Sequence, residues 1–460
     1  MRIRIDLTGR ILLIALLWTA AAALAMRPAI AQERNVVPRL EGGGVGQVEA
    51  RRRQLFERMM ANPAELDTAF EYAALSSRAG DLESAISTLE RMLIFAPDVP
   101  RLQLELGVLY FRLGSHEVAQ VYFDNVMNAP NLPDPVRLRV ERYLEEIKRR
   151  TVDTTFNGAV LFGVRHQTNA NSGLHDRIVD LNGIGFVLSD SALAASDTDA
   201  FVSGSFHFSH DFATQGDRFD AELLTYGAVY AEHDEINTGL AEARLGPVFN
   251  LERFGWDDTE LGVYAILGGV VLKSDPYRVT GGAGARLSKA FSPQTRAEAR
   301  FEYRHQDYRD SALRPTVSLR TGAEYRLQGS LQHQFNDRTL LYGLLDVERT
   351  TAEVGYEERW EVEGVIGANY SFRSPFRSQQ QRWTAGIAVG LAERRYDEPN
   401  PMISANEQRD IERFIRGTLT VPLRETWSLQ TVVSYQDVDS NYDIDSFDNL
   451  STSIGLMKRF

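Results

Sequence analysis

Between positions 295 and 306 the sequence alternates residue by residue. Thr295, Ala297, Ala299, Phe301, Tyr303 and His305 share one face of an extended chain; Arg296, Glu298, Arg300, Glu302, Arg304 and Gln306 share the other. A period of two belongs to a strand. The next run repeats the pattern, with Val317, Leu319, Thr321, Ala323, Tyr325, Leu327 and Leu331 opposing Ser318, Arg320, Glu324, Arg326, Gln328, Ser330, Gln332 and Gln334. A soluble sandwich and a membrane barrel both use such alternation, the first with the apolar face inward and the second with it outward. Three features select the barrel. Segments of this kind recur about every 22 residues through 154–460, they run to about 10–15 residues, and aromatic residues recur near their ends. An Arg or Lys facing lipid at mid-membrane costs about 2–4 kcal/mol, so flipping the register of 295–306 would cost about 6–12 kcal/mol through its three arginines. Arg296, Glu298, Arg300, Glu302, Arg304, Arg320, Glu324 and Arg326 are therefore expected to line the lumen.

Counting back from the C-terminus gives candidate strands at 449–460, 426–438, 411–421, 382–396, 359–372, 339–349, 317–334, 295–306, 278–290, 259–272, 237–250, 218–231, 198–210 and 155–164, fourteen in all. Connections such as 291–294, 335–338 and 422–425 are tight, whereas 397–410 and 439–447 are longer, the asymmetry of short periplasmic turns and long outer loops. The stretch 178–188 also has strand character, but counting it gives an odd fifteen, so 165–197 is assigned to one long loop, external or folded inward. The last strand places Leu450, Thr452, Ile454, Leu456, Lys458 and Phe460 on one face, and this alternation ending in Phe460 resembles the signal read by the barrel assembly machinery. Lys458 stands where an apolar residue is usual, and its stem can snorkel at the interface.

Ahead of the barrel the period becomes helical, over 48–150. Gly80 and Gly114, Ala85 and Ala119, Leu89 and Phe123, and Met92 and Val126 each lie 34 positions apart. That offset resembles the tetratricopeptide (TPR) repeat: Ala73 and Gly107 fall at its small first-helix position, Ala85 and Ala119 at its small second-helix position, and Pro97 closes the first unit. The alternative is a generic bundle of four to six helices. Stacked repeats present a groove to peptides or proteins, so a protein client or its periplasmic chaperone is the expected partner.

At the N-terminus, Arg2, Arg4 and Arg10 precede an apolar run to Ala25, and Ala29-Ile30-Ala31 supplies a small-x-small cleavage pattern. Residues 1–31 are read as a signal peptide and 32–47, with Pro38 and Gly42-Gly43-Gly44, as a linker. The apolar run is short for a membrane-spanning helix. The net charge of −13 argues against nucleic-acid binding, and the absence of cysteine excludes disulfides and thiolate catalysis. The expected class is thus α + β with two domains, a periplasmic TPR-like solenoid followed by a transmembrane barrel of about fourteen antiparallel strands in the outer membrane of a Gram-negative bacterium.

This arrangement resembles the surface lipoprotein assembly modulator (Slam) family of outer-membrane translocons. Gly163-Val164-Arg165 leading to Thr168-Asn169-Ala170-Asn171 is similar to the Asn-rich element after that family's first barrel strand, although His166-Gln167 stands where Tyr-Asp is more usual; Asp439-Ser440-Asn441 is similar to its last loop. The resemblance implies delivery of a protein client, a surface lipoprotein or a soluble secreted protein, from periplasm to cell surface. The competing transport reading is an exopolysaccharide export pore, which also joins periplasmic repeats to a barrel but usually has more repeats and a lumen of one charge sign.

No catalytic, cofactor or metal site is expected. The sequence contains no G-x-S-x-G element, and Ser203, Ser205, His207 and Ser209 at alternate positions read as a polar wall. The acidic run Asp437, Asp439, Asp443, Asp445 and Asp448 suits an outer loop as well as a calcium site. Gly281-Gly282-Ala283-Gly284 has no helix after it, so it is a packing or curvature feature and no phosphate loop.

Overall fold

A computed structural model describes residues 45–62, 65–97, 99–130, 132–150, 153–214, 216–376 and 381–460. The signal peptide expected at 1–31 and the linker up to residue 44 lie outside the described residues. The chain forms two compact units, one of helices and one of strands.

The helical unit contains α1 (Val45–Ala61), α2 (Leu66–Ala79), α3 (Leu82–Phe95), α4 (Pro100–Leu113), α5 (His116–Met127) and α6 (Asp134–Arg150). The first helix starts three residues ahead of position 48, inside the stretch read as linker. The 34-residue offset has a physical basis in the helix ends. Gly80 closes α2 and Gly114 closes α4, both left-handed, with φ of 87° and 88°. Each cap is completed by two backbone bonds: Gly80 and Asp81 donate to the carbonyls of Ser77 and Ser76, and Gly114 and Ser115 to those of Phe111 and Tyr110. Asp81 then caps α3 by accepting from the Ser84 amide at 3.1 Å. Ala73, Ala85 and Ala119 are buried where helices meet, and Pro97 lies in the turn between α3 and α4. At Gly107 a Cβ would fall 2.7 Å from the Phe123 ring, so the two helices meet only because that position lacks one. Two clusters form the core, one around Leu55, Tyr72, Leu89, Met92 and Leu102, the other around Leu104, Phe123, Val126, Val140 and Ile147. Among the described residues no helix is long and apolar enough to cross a membrane.

The second unit is a closed barrel of fourteen antiparallel strands: β1 (Thr154–Gln167), then β4 (Asp197–Thr214), β5 (Asp217–Tyr230), β6 (Thr238–Asn250), β7 (Thr259–Leu272), β8 (Asp275–Ser292), β9 (Thr295–Tyr308), β10 (Gly322–Gln334), β11 (Thr339–Thr350), β12 (Arg359–Arg373), β13 (Arg382–Tyr396), β14 (Arg409–Pro422), β15 (Trp427–Ser440) and β16 (Phe447–Arg459). Each strand pairs with its neighbour in sequence, and β1 with β16 closes the ring. An even number of up-and-down strands brings Thr154 and Phe460 to the same rim, where the Gly158 amide donates to the Phe460 carbonyl at 2.9 Å. The closing seam holds nine residue pairs against fifteen between β12 and β13, so it is among the shortest joints of the ring. At the opposite rim the connections are mostly longer, with one exception: Lys273 and Ser274 alone turn β7 into β8, both at positive φ (47° and 72°), as a two-residue hairpin of primed type requires.

Two expectations need correction. The strand drawn from 317 begins at Gly322, because Val317–Arg320 is a 3₁₀ turn. Arg314, buried in the same connection, donates to the Glu235 carbonyl at 2.6 Å and draws this segment toward the β5–β6 connection, out of line with β10. The loop drawn over 165–197 is shorter, since β1 continues through Gln167 and β4 begins at Asp197. Within it, 178–188 is no fifteenth barrel strand: β2 (Ile178–Leu181) and β3 (Ile184–Val187) make a separate hairpin about Asn182 and Gly183, both at positive φ.

Candidate functional site

The strands expose one face and bury the other. Phe301, Leu267 and Ile366 are 51%, 60% and 67% exposed, whereas Glu302 is 1% exposed and Arg304 3%. Which face is concave follows from reach. Arg304 on β9 bonds Glu242 on β6 at 2.9 Å, and Arg286 on β8 meets Asp220 and Glu222 on β5 at 3.3 and 3.2 Å. Side chains three strands apart in a closed sheet can meet only across its inner surface. The charged face is therefore inside, and the apolar face forms a continuous outer belt of the kind that contacts hydrocarbon.

Inside, the arginines lie along the wall over positions that carry little or no side chain. A Cβ at Gly262 on β7 would lie 3.6 Å from Arg286 Nε, and one at Gly268 would be 3.5 Å from Glu242. At Gly284 a Cβ would strike the Tyr264 ring at 2.7 Å, and that ring's hydroxyl donates to Glu302 Oε1 at 2.8 Å. Glu302 also accepts from Arg304 Nη2 at 2.6 Å and lies 3.4 Å from Arg244, which in turn reaches Glu242 at 2.7 Å. Shared carboxylates of this kind keep buried arginines charged, while the Nε atoms of Arg244, Arg286 and Arg300 are buried without a hydrogen bond among the described residues.

The eight charged residues singled out from the sequence are dispersed. Arg300, Glu302 and Arg304 join this network, Glu298 reaches it through Arg300 at 2.8 Å, and Glu324 lies 3.6 Å from Arg304 and accepts from Gln306. Arg326 belongs to a neighbouring group, donating to Asp346 at 2.8 Å. Arg296 is exposed near the rim that carries Phe460, opposite Gln332. Arg320 does not lie on a strand: from its 3₁₀ turn it reaches Glu357 at 3.2 Å and the Tyr277 hydroxyl at 3.3 Å. Asp220, Glu222, Glu242, Arg244 and Arg286 were missed, although they occupy alternate positions in their own strands and carry the same signal.

At the rim opposite Phe460 a second network ties down the long connection. Arg165 on β1 donates to Asp199 at 2.9 Å and to the Tyr226 hydroxyl at 2.9 Å, all of them buried. Asn169 donates to the carbonyls of Gly173 and Asp448 and accepts from the Gly173 amide; Asn171 donates to the Leu193 carbonyl and accepts from the Ala195 amide. The asparagines thus act as backbone clips that fold 168–196 onto itself and onto β16. Leu174, Val179, Leu181 and Leu188 pack against Tyr442 and Ile444 of the β15–β16 connection, and Asn182 bonds the backbone of Pro401 and Ile403.

The remaining candidates have structural partners. Ser209 donates to Asp220 at 2.8 Å, and Ser203, Ser205 and His207 continue the inner face of β4. Asp437 pairs with Arg413 and Asp448 with His175, so the acidic run does not converge. Phe460 places its ring 5.8 Å from Phe156 and 5.9 Å from Phe206, an aromatic clasp on the seam. In the helical unit the Tyr110 hydroxyl donates to Glu90 at 2.5 Å, and this hydrogen bond to a carboxylate, with burial, pushes the tyrosine up to about 12.

No protein-family model and no curated protein matches the chain. Among solved structures, the helical part is similar to the Yersinia enterocolitica type III secretion chaperone SycD in complex with a peptide of the translocator YopD, at 16% identity over 24% of this chain and 85% of that one, with a TM-score of 0.22. The barrel is similar to an anion-selective porin from Comamonas acidovorans, at 9% identity over 67% of this chain and 99% of that one, TM-score 0.34. It is also similar to the outer membrane channel DcaP of Acinetobacter baumannii, at 10% identity over 67% and 97%, TM-score 0.36.

Proposed function

We propose that this chain is an outer-membrane translocon of the Slam type, which moves a protein client from the periplasm to the cell surface. In this reading the rim with Thr154 and Phe460 faces the periplasm, the helical unit lies on that side, and the repeats capture the client or its chaperone. The observation that carries it is the opposed chemistry of adjacent residues on one strand: Phe301 is 51% exposed on the outer face while Glu302 is 1% exposed within the inner ion-pair network. A belt of exposed apolar side chains is stable only against lipid, and a wet, charged wall suits passage of a polar chain. The β5–β9 wall is balanced in sign, which favours a polypeptide of mixed charge over a uniformly charged polysaccharide.

The test has two arms. A spin label at Phe301 in the reconstituted protein should report acyl chains; an aqueous environment there removes the barrel's membrane role. Deletion of 48–150 should leave an inserted, heat-modifiable barrel while the client accumulates in the periplasm; normal export by that truncation refutes the capture step.

A further inference from the structure

The inner wall is not uniform in charge. In the β5–β9 sector each carboxylate named above has an arginine against it, down to Arg218 with Glu260 at 2.7 Å. Between β11 and β14 the pairing runs out. Arg326 is taken up by Asp346, Arg359 lies between Glu348 and Glu361 at 3.5 and 3.7 Å, and Arg394 bridges Glu361 and Glu412 at 3.0 and 2.5 Å. Glu363 is left over. It is 7% exposed, stands directly opposite Asp346 in the β11–β12 register, and follows Glu361 on the same face. Its Oε1 is buried with no hydrogen-bond partner among the described residues.

Among the described residues no arginine makes a direct ion pair with Glu363, and the charges of Arg326 and Arg416 act on it only from further off. Across β13 the partner of Glu363 is Ala392, and beyond it stands Glu412. The next arginine, Arg416, is opposite Ala388, which pairs with Gly367, four residues further along β12; its guanidinium lies 5.4 Å from the Phe414 ring. Burial of an ionised, unpaired carboxylate among other carboxylates is unfavourable unless it takes up a proton or a positive group joins it.

We propose that Glu363, flanked by Asp346, Glu361 and Glu412, is a cation-binding station on the inner wall. Its ligand is a monovalent cationic group, the arginine or lysine head of a polypeptide in transit, a choice that rests on the translocon reading. Each arginine of a passing chain would then be held briefly against the acidic sector, and runs of acidic residues would be turned away from it.

The experiment uses the purified full-length protein in detergent. Binding of fluorescein-labelled tetra-arginine and tetra-glutamate is followed by fluorescence anisotropy for the wild type, for Glu363→Gln, and for Glu353→Gln, an exposed carboxylate in the 351–358 connection that controls for one lost charge. Tetra-arginine should bind the wild type, weaken at least fivefold in Glu363→Gln, and change less than twofold in Glu353→Gln; tetra-glutamate should not bind. Binding by Glu363→Gln equal to wild type, or equal binding of both peptides, overturns the station. So does a fall in the low-salt unfolding midpoint of Glu363→Gln, because neutralising a carboxylate without a partner should raise it. None of these results touches the translocon reading, whose membrane role is tested by the Phe301 label and whose capture step is tested by the 48–150 deletion.

Discussion

Arg304 on β9 and Glu242 on β6 are ion-paired at 2.9 Å, with two strands of wall between them. Both are buried, and Arg304 also holds Glu302, so one arginine neutralises two carboxylates. Truncating it to Arg304→Met leaves Arg244 alone to hold Glu242 and to share Glu302 with Arg300, at an expected cost of about 3–5 kcal/mol. Urea unfolding of the folded barrel, followed by heat-modifiable mobility, should show the loss. Adding Glu242→Gln to the same chain should recover part of it, and strict additivity of the two changes would show that the residues are not coupled.

Gly107 lies against the Phe123 ring, where a Cβ would approach to 2.7 Å. Gly107→Val should overpack the contact between α4 and α5 and cost about 1–3 kcal/mol. The readout is the thermal midpoint of the helical circular dichroism signal; pairing the change with Phe123→Leu should return part of the lost stability.

Tyr110 and Glu90 make the helical unit sensitive to alkali. The tyrosine's folded value is raised to about 12 from an ordinary 10, so its contribution is fully present below pH 10 and is lost as pH rises toward 12. In the absorbance titration at 295 nm Tyr110→Phe should take one tyrosine out of the late-ionising fraction, together with this part of the stability loss over pH 10–12.

Asp81 has two jobs that substitution can separate. It caps α3 through the Ser84 amide and forms an ion pair with Arg52 of α1. Asp81→Asn keeps a capping oxygen and loses the ion pair, whereas Asp81→Ala loses both. Asp81→Ala should cost about 1 kcal/mol more than Asp81→Asn in chemical denaturation; equal losses would assign the residue's stabilisation to the ion pair alone.

Much of the architecture was legible because it is written in short-range periods. The two-residue alternation at 295–306 identifies strand and faces, and the matched glycines at 80 and 114 mark two helix ends in the same left-handed geometry. The parts not legible depend on distance or on a local break. Val317-Ser318-Leu319-Arg320 alternates as well as any strand, and the ties of Ser318 to Asp310 and of Arg314 to the Glu235 carbonyl accompany its turn instead. Asn182-Gly183 was the available signal that 178–188 is two short strands and not one. A period of two also says which face Arg304 occupies but not that it reaches over β7 and β8 to Glu242, because that pairing depends on which neighbours leave room, as Gly268 does.

The seam between β1 and β16 has a mechanical consequence. A hoop under tension parts at its joint, and here the joint has nine rungs, while Thr154–Asn157 run past the end of β16 and pair with β4. Sideways pull on the ring, from a bulky object in the bore or from bilayer stress, should concentrate at these rungs, and the Phe156, Phe206 and Phe460 rings are placed to act as the latch.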